Sequence, residues 1–302
     1  MSLYFVTILT NMTLISFIAI SAYLILIVGE VSFGQQAFFG IGAYITATLT
    51  TLLGLDIVIA LFFSFMVSAS FALVLSVLTV RLSGLYFAVA SLSFAELLRL
   101  SLYKIEYTVE TSSGTIGPNG PEGFQNIRWI FENNISPENF LVIALSSLLA
   151  FIIFLIFMES SKLFKNARLV GKDQIVAQSI GIRPFFYRVG FITLAGGVAG
   201  FGGGLFALFN TYIEPSMFGI MLGVHGLAYS IIGGLGYPLG PLIGVFIDIG
   251  LLESVRFLSE YRMILFGGLV AAILIIFPEG IISPRLVSRI KRNLVKKTNA
   301  RA

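Results

Sequence analysis

Long uncharged stretches alternate with short polar ones along this chain, and their lengths predict its elements. Met1–Gly29 carries no charged side chain and predicts a first helix over Leu3–Val28. Val31–Leu55 and Ile57–Val80 are two more uncharged runs. At about 1.5 Å per residue each can cross roughly 30 Å of hydrocarbon. Leu82–Ala95 is shorter and runs into Glu96 and Arg99, so it crosses only if that pair lies inside a bundle and lets the helix reach Tyr103. Lys104–Glu138 is polar and punctuated by Gly114, Gly117, Pro118, Gly120, Pro121 and Gly123, which predicts a loop. Asn139–Met158 is another span, Glu159–Arg188 a basic loop, and Val189–Ile213 a further uncharged run. Pro215–Ile247 is uncharged but broken by GGLGYPLGP at Gly233–Pro241, which fits two short spans or a re-entrant pair. Met263–Pro278 closes the series.

Within the basic loop, Asp173, Ala177 and Gly181 fall four residues apart and would share one face of a helix beginning near Lys172. Ile175, Val176 and Ile180 add apolar surface beside them. Gly181 suits a helix end, and Pro184 predicts a stop. A short amphipathic helix beneath a span, among basic residues, has the shape of a handle for a cytoplasmic partner. A plain surface helix fits the pattern equally well.

Composition sharpens this picture. The chain is 57% hydrophobic and 11% charged, against about 25% charged in soluble domains, too few polar groups to coat a globule. The expected fold is an all-α polytopic membrane protein with about eight to ten transmembrane helices, broken or re-entrant segments among them. It divides into a transmembrane domain, 1–284, and a basic cytoplasmic tail, 285–302. The absence of cysteine and a single histidine, His225, exclude disulfides, thiolate chemistry and His-cluster metal sites. The net charge of +4 gathers in the tail, at Arg285, Arg289, Lys291, Arg292, Lys296, Lys297 and Arg301, and is no nucleic-acid signal. No Lys or Arg precedes Arg81, so the first apolar stretch reads as a retained span, not a secretory signal.

Orientation follows from the positive-inside rule. Loop 159–188 holds six Lys or Arg, whereas loop 104–138 holds two, against five Glu. The basic loop and tail belong in the cytoplasm and the acidic loop outside, with an external N-terminus and about nine crossings. Glycine-rich segments recur near Gly29–Gly42 and Gly233–Gly244, too faintly to define an inverted repeat.

Several polar and glycine positions stand out. Gly196, Gly200 and Gly204 form a stripe that lets a neighbouring backbone approach, which points to helix packing. Glu30, Ser32, Gln35 and Gln36 sit where hydrocarbon should begin, between glycines that would permit a broken helix. They are candidates for a transport path or a wet turn. Glu96 and Arg99 lie three apart and can pair, either at the interface or on that path. His225, Asp248 and Glu253 are isolated polar residues in apolar context, and His225 is the third candidate point on the path. No phosphate loop is present: Gly171-Lys172 has Asn166 where a glycine is needed and lacks the following Ser or Thr. No Ser–His–Asp set, zinc motif or acidic cluster is visible, so catalytic residues, cofactors and metals are expected to be none in this chain.

Five segments in order, GEVSFGQQAFFGIGAY (Gly29–Tyr44), GLYFAVASLSFAELLR (Gly84–Arg99), TIGPNG (Thr115–Gly120), AQSIGI (Ala177–Ile182) and GGLGYPLGPLIGVF (Gly233–Phe246), resemble the permease subunits of branched-chain amino acid ABC importers, in particular the LivM-type subunit. The resemblance runs from about Thr13 to Pro284, with Ile116 standing where many relatives have glycine. It implies a multi-pass subunit of the prokaryotic cytoplasmic (inner) membrane, embedded in lipid, without its own ATPase site. It also implies partners: two ATP-binding-cassette subunits carrying ATP and Mg, a second LivH-like permease, and an external substrate-binding protein facing loop 104–138. The coupling helix of the family falls on Gly171–Ile182, with Asp173, Ala177 and Gly181 matching its acidic–alanine–glycine pattern. Branched-chain amino acids or related small polar solutes are the implied cargo. An ATP-independent secondary carrier or channel is the alternative, although few acids (Glu30, Glu96, Asp248) sit where a driving ion would need them. A lipid-modifying membrane enzyme is weaker still, for want of acidic and His clusters.

Overall fold

Glycines, prolines and short polar caps set the helix ends in the computed structural model, which describes residues 3–111, 114–252 and 262–283. α1 (Leu3–Ile27) runs until Gly29, whose φ of 81° ends it. α2 (Gln35–Thr51) starts just after Gly34, and α3 (Ile57–Thr79) just after Asp56. α4 (Leu85–Leu102) follows Gly84 and continues unbroken through Glu96 and Arg99. α5 (Trp129–Glu132) is a single turn. α6 (Pro137–Glu159) has Pro137 in its first turn, and the Ser136 hydroxyl accepts from the Asn139 amide.

The basic loop expected at Glu159–Arg188 is mostly helical. α7 (Lys162–Lys172) is capped by Ser161, and α8 (Gln174–Ser179) by Asp173. α9 (Pro184–Asn210) begins five residues before the uncharged run, because Pro184 at the first helical position pre-sets φ and needs no amide partner. The expected stop is there, with α8 ending at Ser179 before Gly181, and Pro184 also opens the next helix. After α9 come α10 (Ile220–Gly233), α11 (Gly240–Val245), which continues as a wider π-type turn over Phe246–Leu252, and α12 (Arg262–Ile276). Glu253 and the basic residues from Arg285 onward lie outside the described residues.

Among the described residues α1, α3, α4, α6 and α9 are long and apolar enough to cross a membrane. α2, with 17 residues, spans about 26 Å, and α10 with 14 only about 21 Å, short of ~30 Å of hydrocarbon. The shortfall at α10 has a visible cause. The chain leaving α9 turns at Thr211 and then dips back, so that Phe218 packs on Phe39 and Tyr44 and lies over Gly40 of α2. α10 therefore starts part-way down the bundle. It then folds back antiparallel on α11, with Gly233 against the Gly240 carbonyl and Gly244 against that of Tyr229. Pro215–Ile247 is thus a re-entrant segment feeding a hairpin of two short helices.

The expected acidic loop carries a small antiparallel sheet, β1 (Val109–Thr111), β2 (Gly114–Pro118) and β3 (Phe124–Gln125) in that order. Phe124 exchanges both backbone hydrogen bonds with Ile213, at 2.7 and 3.1 Å, and welds the loop to the end of α9.

α9 is the axis of the bundle, contacting α3, α2 and α1. Its glycines allow this. Side chains built on Gly196 and Gly200 would meet Ala72 and Ser68 of α3, and one on Gly204 would meet Thr46 of α2. Gly42 of α2 faces the Gly200 backbone, and the Ser64 hydroxyl donates to both the Gly42 and Gly200 carbonyls at 3.0 and 2.7 Å. Between apolar helices in lipid, such close approach maximises dispersion contact where no hydrophobic drive exists. A methyl at Gly42 has only backbone to push against. Gly42→Ala is expected to cost about 1–3 kcal/mol of stability. Gly268→Ala, where nothing lies within 4 Å, is expected to be neutral; thermal melting in detergent compares them.

Candidate functional site

Two arginines fasten the basic end of the bundle, one on each side of α8. Arg188, in the second turn of α9, pairs with Glu30 at 2.8 Å, and both are almost fully buried. Its guanidinium also donates to the carbonyls of Val80, at 2.9 Å, and Leu82. The Gly84 amide donates to Glu30 at 3.2 Å. One ion pair thus joins the α1–α2 turn, the α3–α4 turn and the base of α9. Burial pushes the Glu30 carboxyl up from its ordinary range, while Arg188 and the Gly84 amide pull it back.

Arg168 of α7 does the same on the other side. It donates to the Leu235 carbonyl at 2.5 Å, to the Tyr23 hydroxyl at 3.0 Å, and pairs with Glu159 at 3.1 Å. The α10–α11 turn and the end of α1 are thereby tied to α7. Gly29 adds a backbone contact, since a Cβ there would lie 2.7 Å from the Gly171 carbonyl oxygen. Arg168, Glu159 and Arg188 escaped the sequence reading, which counted them only as loop charge. A basic residue flanking an uncharged run was the available signal.

Between these anchors α8 presents an apolar outer surface. Ile175 is 80% exposed, Ile180 63% and Val176 46%. The sequence expectation of a helix from Lys172 with Asp173, Ala177 and Gly181 on one face is corrected. α7 ends at Lys172, and Asp173 is extended (φ −156°, ψ 108°) and caps α8, its carboxylate accepting from the Ile175 and Val176 amides at 2.8 and 3.0 Å. Gly181 lies beyond the helix at φ 82° and closes it: its amide reaches Gln178 and that of Ile182 reaches Ala177, a Schellman ending. Ala177 faces inward and is fully buried, so it supports α8 and does not form its outer face.

The path candidates fall into separate settings. Glu30 belongs to the clamp just described. The Ser32 hydroxyl accepts from the Gly34 amide at 3.1 Å and shapes the turn into α2. Gln35 and Gln36 are buried in the first turn of α2, and both amide atoms of Gln35 and the oxygen of Gln36 have no hydrogen-bond partner among the described residues. The Gln36 amide lies over Gly223 of α10, in the space a side chain there would fill. Glu96 and Arg99 form a two-bond ion pair, 2.9 and 2.5 Å, that also holds Tyr103; it is partly exposed on the outer face of α4. His225 stacks on Tyr229 and meets Phe266 edge-on, while the Tyr229 hydroxyl donates to buried Asp248 at 2.5 Å.

A helical bundle with several membrane-length helices, a re-entrant segment and a stapled amphipathic element at one end defines a multi-pass membrane protein. Its chain belongs to the family described as branched-chain amino acid transport system / permease component, which matches residues 4–277. That is a family of transport components, not of enzymes. Among curated proteins it is similar to the high-affinity branched-chain amino acid transport system permease protein LivM of Salmonella typhimurium, 25% identical over 279 residues, and to that of Escherichia coli, 24% over 277. Each alignment covers 84% of this chain, which spans 64% of the length of those relatives. No solved structure matches.

Removing Arg188 leaves the buried Glu30 carboxylate without its ion pair and the Val80 and Leu82 carbonyls without their donor. Arg188→Met is therefore expected to cost about 3–5 kcal/mol, read as a large drop in melting temperature and folded yield.

Proposed function

We propose that the chain is the membrane-spanning permease subunit of an ABC importer for branched-chain amino acids or related small polar solutes. Family membership over residues 4–277 supports this, together with the LivM relatives. In this reading two ATP-binding-cassette subunits bind ATP and Mg below the basic end, which faces the cytoplasm of a prokaryote by the positive-inside rule. A LivH-like permease completes the pore, and an external binding protein delivers cargo at the acidic end.

The observation that carries the coupling role is α8 itself. It is a short helix with three large apolar side chains turned outward, which a cassette groove would bury. Asp173, Ala177 and Gly181 act here as cap, inner packing and terminator of the coupling helix. They hold it rigid; Ile175, Val176 and Ile180 make the contact. Cassette closure displaces α8 and, with it, the α7 and α9 ends it packs on; Arg168 of α7 passes the displacement to the α10–α11 turn, and Arg188 of α9 passes it to the α1–α2 and α3–α4 turns. Switching a two-state element from 1:99 to 99:1 takes about 5.5 kcal/mol, a modest demand on nucleotide binding. Cargo passes along the seam of α2 and α10, where the Gln35 amide and the Gln36 oxygen are buried polar groups without a partner among the described residues.

Two measurements test this in vesicles carrying the assembled importer. Ile175→Glu with Ile180→Glu changes only exposed positions, so the melt holds while ATP-driven uptake falls at least about tenfold, the loss of ~1.4 kcal/mol of docking. Unchanged uptake removes α8 from the coupling role. Gln36→Leu removes a buried amide whose oxygen has no partner among the described residues; it is expected to leave folding nearly unchanged yet lower uptake. Full uptake with Gln36→Leu moves the path elsewhere.

A further inference from the structure

The lipid-facing side of α9 is open along one groove. At the basic end a cavity of about 530 Å³ lies between α6, α7 and α9, with Leu163, Arg183 and Phe186 at its rim. Phe154 and Leu194 line it and also line a second cavity, about 520 Å³, between α3, α6 and α9. A third, about 370 Å³, shares Gly190 and Leu194 with the first and Phe65 and Met66 with the second. The three adjoin along α9, with Leu194 common to all of them. Gly190 keeps the groove open, because a Cβ there would meet nothing within 4 Å.

Length, polarity and charge agree on the occupant. From Gly190 to Phe201 along α9 is about 17 Å, close to half of a ~30 Å hydrocarbon core. The walls of the second cavity are wholly apolar, and Ser70 and Thr193 are the polar residues of the third. At the mouth the Arg183 guanidinium has no hydrogen-bond or ion-pair partner among the described residues, and the Asn166 amide, bonded to the Tyr187 hydroxyl at 2.8 Å, lies beside it. Lys162 and Lys165 of α7 add positive charge at the same level.

We infer that this groove is a binding site for an anionic glycerophospholipid of the basic-side leaflet. One acyl chain lies along Gly190–Phe201 against Phe154 and Phe65, and the phosphate meets Arg183. A lipid matches an apolar groove about one leaflet long ending at a guanidinium without a partner among the described residues. The site touches α9 within a few residues of Arg188, so its occupant bears on the helix that the basic-end clamp moves. The lipid site does not require the transport reading, and its test does not use transport.

The test uses the full chain with Phe154→Trp as reporter and Trp129→Phe to remove the other indole. It is reconstituted in phosphatidylcholine vesicles containing brominated phosphatidylglycerol or brominated phosphatidylcholine at equal mole fraction. Phosphatidylglycerol is expected to quench the reporter at about fivefold lower mole fraction, the gain from one cation beside a net-negative rather than a zwitterionic headgroup. Arg183→Gln is expected to abolish the difference without changing the melt, since Arg183 is exposed. Native mass spectrometry of the unsubstituted chain, which does not depend on the reporter, should retain phosphatidylglycerol that the Arg183→Gln chain loses. Equal quenching by both headgroups would mean ordinary bilayer contact and overturns the site. Quenching by neither would mean that the reporter is closed off from lipid, by the chain itself or by a second copy of it, which overturns the site equally.

Discussion

Everything in this bundle depends on how closely α9 can be approached. Lipid is as apolar as leucine, so nothing pushes these helices together; contact area and internal hydrogen bonds must hold them. Glycine at 196, 200 and 204, and Gly42 opposite, bring backbones within reach of each other, so that serine hydroxyls on α3 can bond carbonyls on neighbouring helices. Ser64 bridges α2 and α9 in this way, and Ser68 bridges α3 and α2. A side chain at these positions would separate α9 from α3 and α2 and leave those hydroxyls unpaired.

The basic end solves a different problem. Helix ends expose carbonyls that lipid cannot satisfy, and the turns between spans must stay where the spans place them. Arg168 and Arg188 answer both needs at once, because a guanidinium carries five donors in a fixed fork. Each takes two backbone carbonyls of a distant turn together with a carboxylate. α7 and α8 are therefore part of the bundle, not a loop hung beneath it, and a force on the apolar outer side of α8 arrives at the spans directly.

Much of this was legible beforehand. The uncharged runs placed α1, α3, α6 and α12 within a few residues, since a span needs little beyond length and apolarity. The missed features need partners distant in sequence. β1–β3 are short and glycine-rich, and Phe124 fixes them to the bundle by pairing with Ile213, nearly ninety residues away. α8 was seen as a helix, but its phase was misjudged: Asp173, Ala177 and Gly181 keep helical spacing, yet only Ala177 lies within the helix. A cap and a glycine ending sit just outside it, and regular spacing cannot tell inside from outside.

The sequence alone determined that the chain crosses a membrane repeatedly, which end is basic, and that a short apolar helix lies there. Those properties are sums over local composition, and no contact changes them. Only the tertiary structure decided that Glu30 is a clamp, that Ala177 faces inward, and that α10 begins inside the bundle. Each of these depends on what stands opposite: Arg188 for the first, α7 and α9 for the second, Gly40 and Phe218 for the third. A polar or small residue in an apolar run states that it needs a neighbour, and the fold names that neighbour.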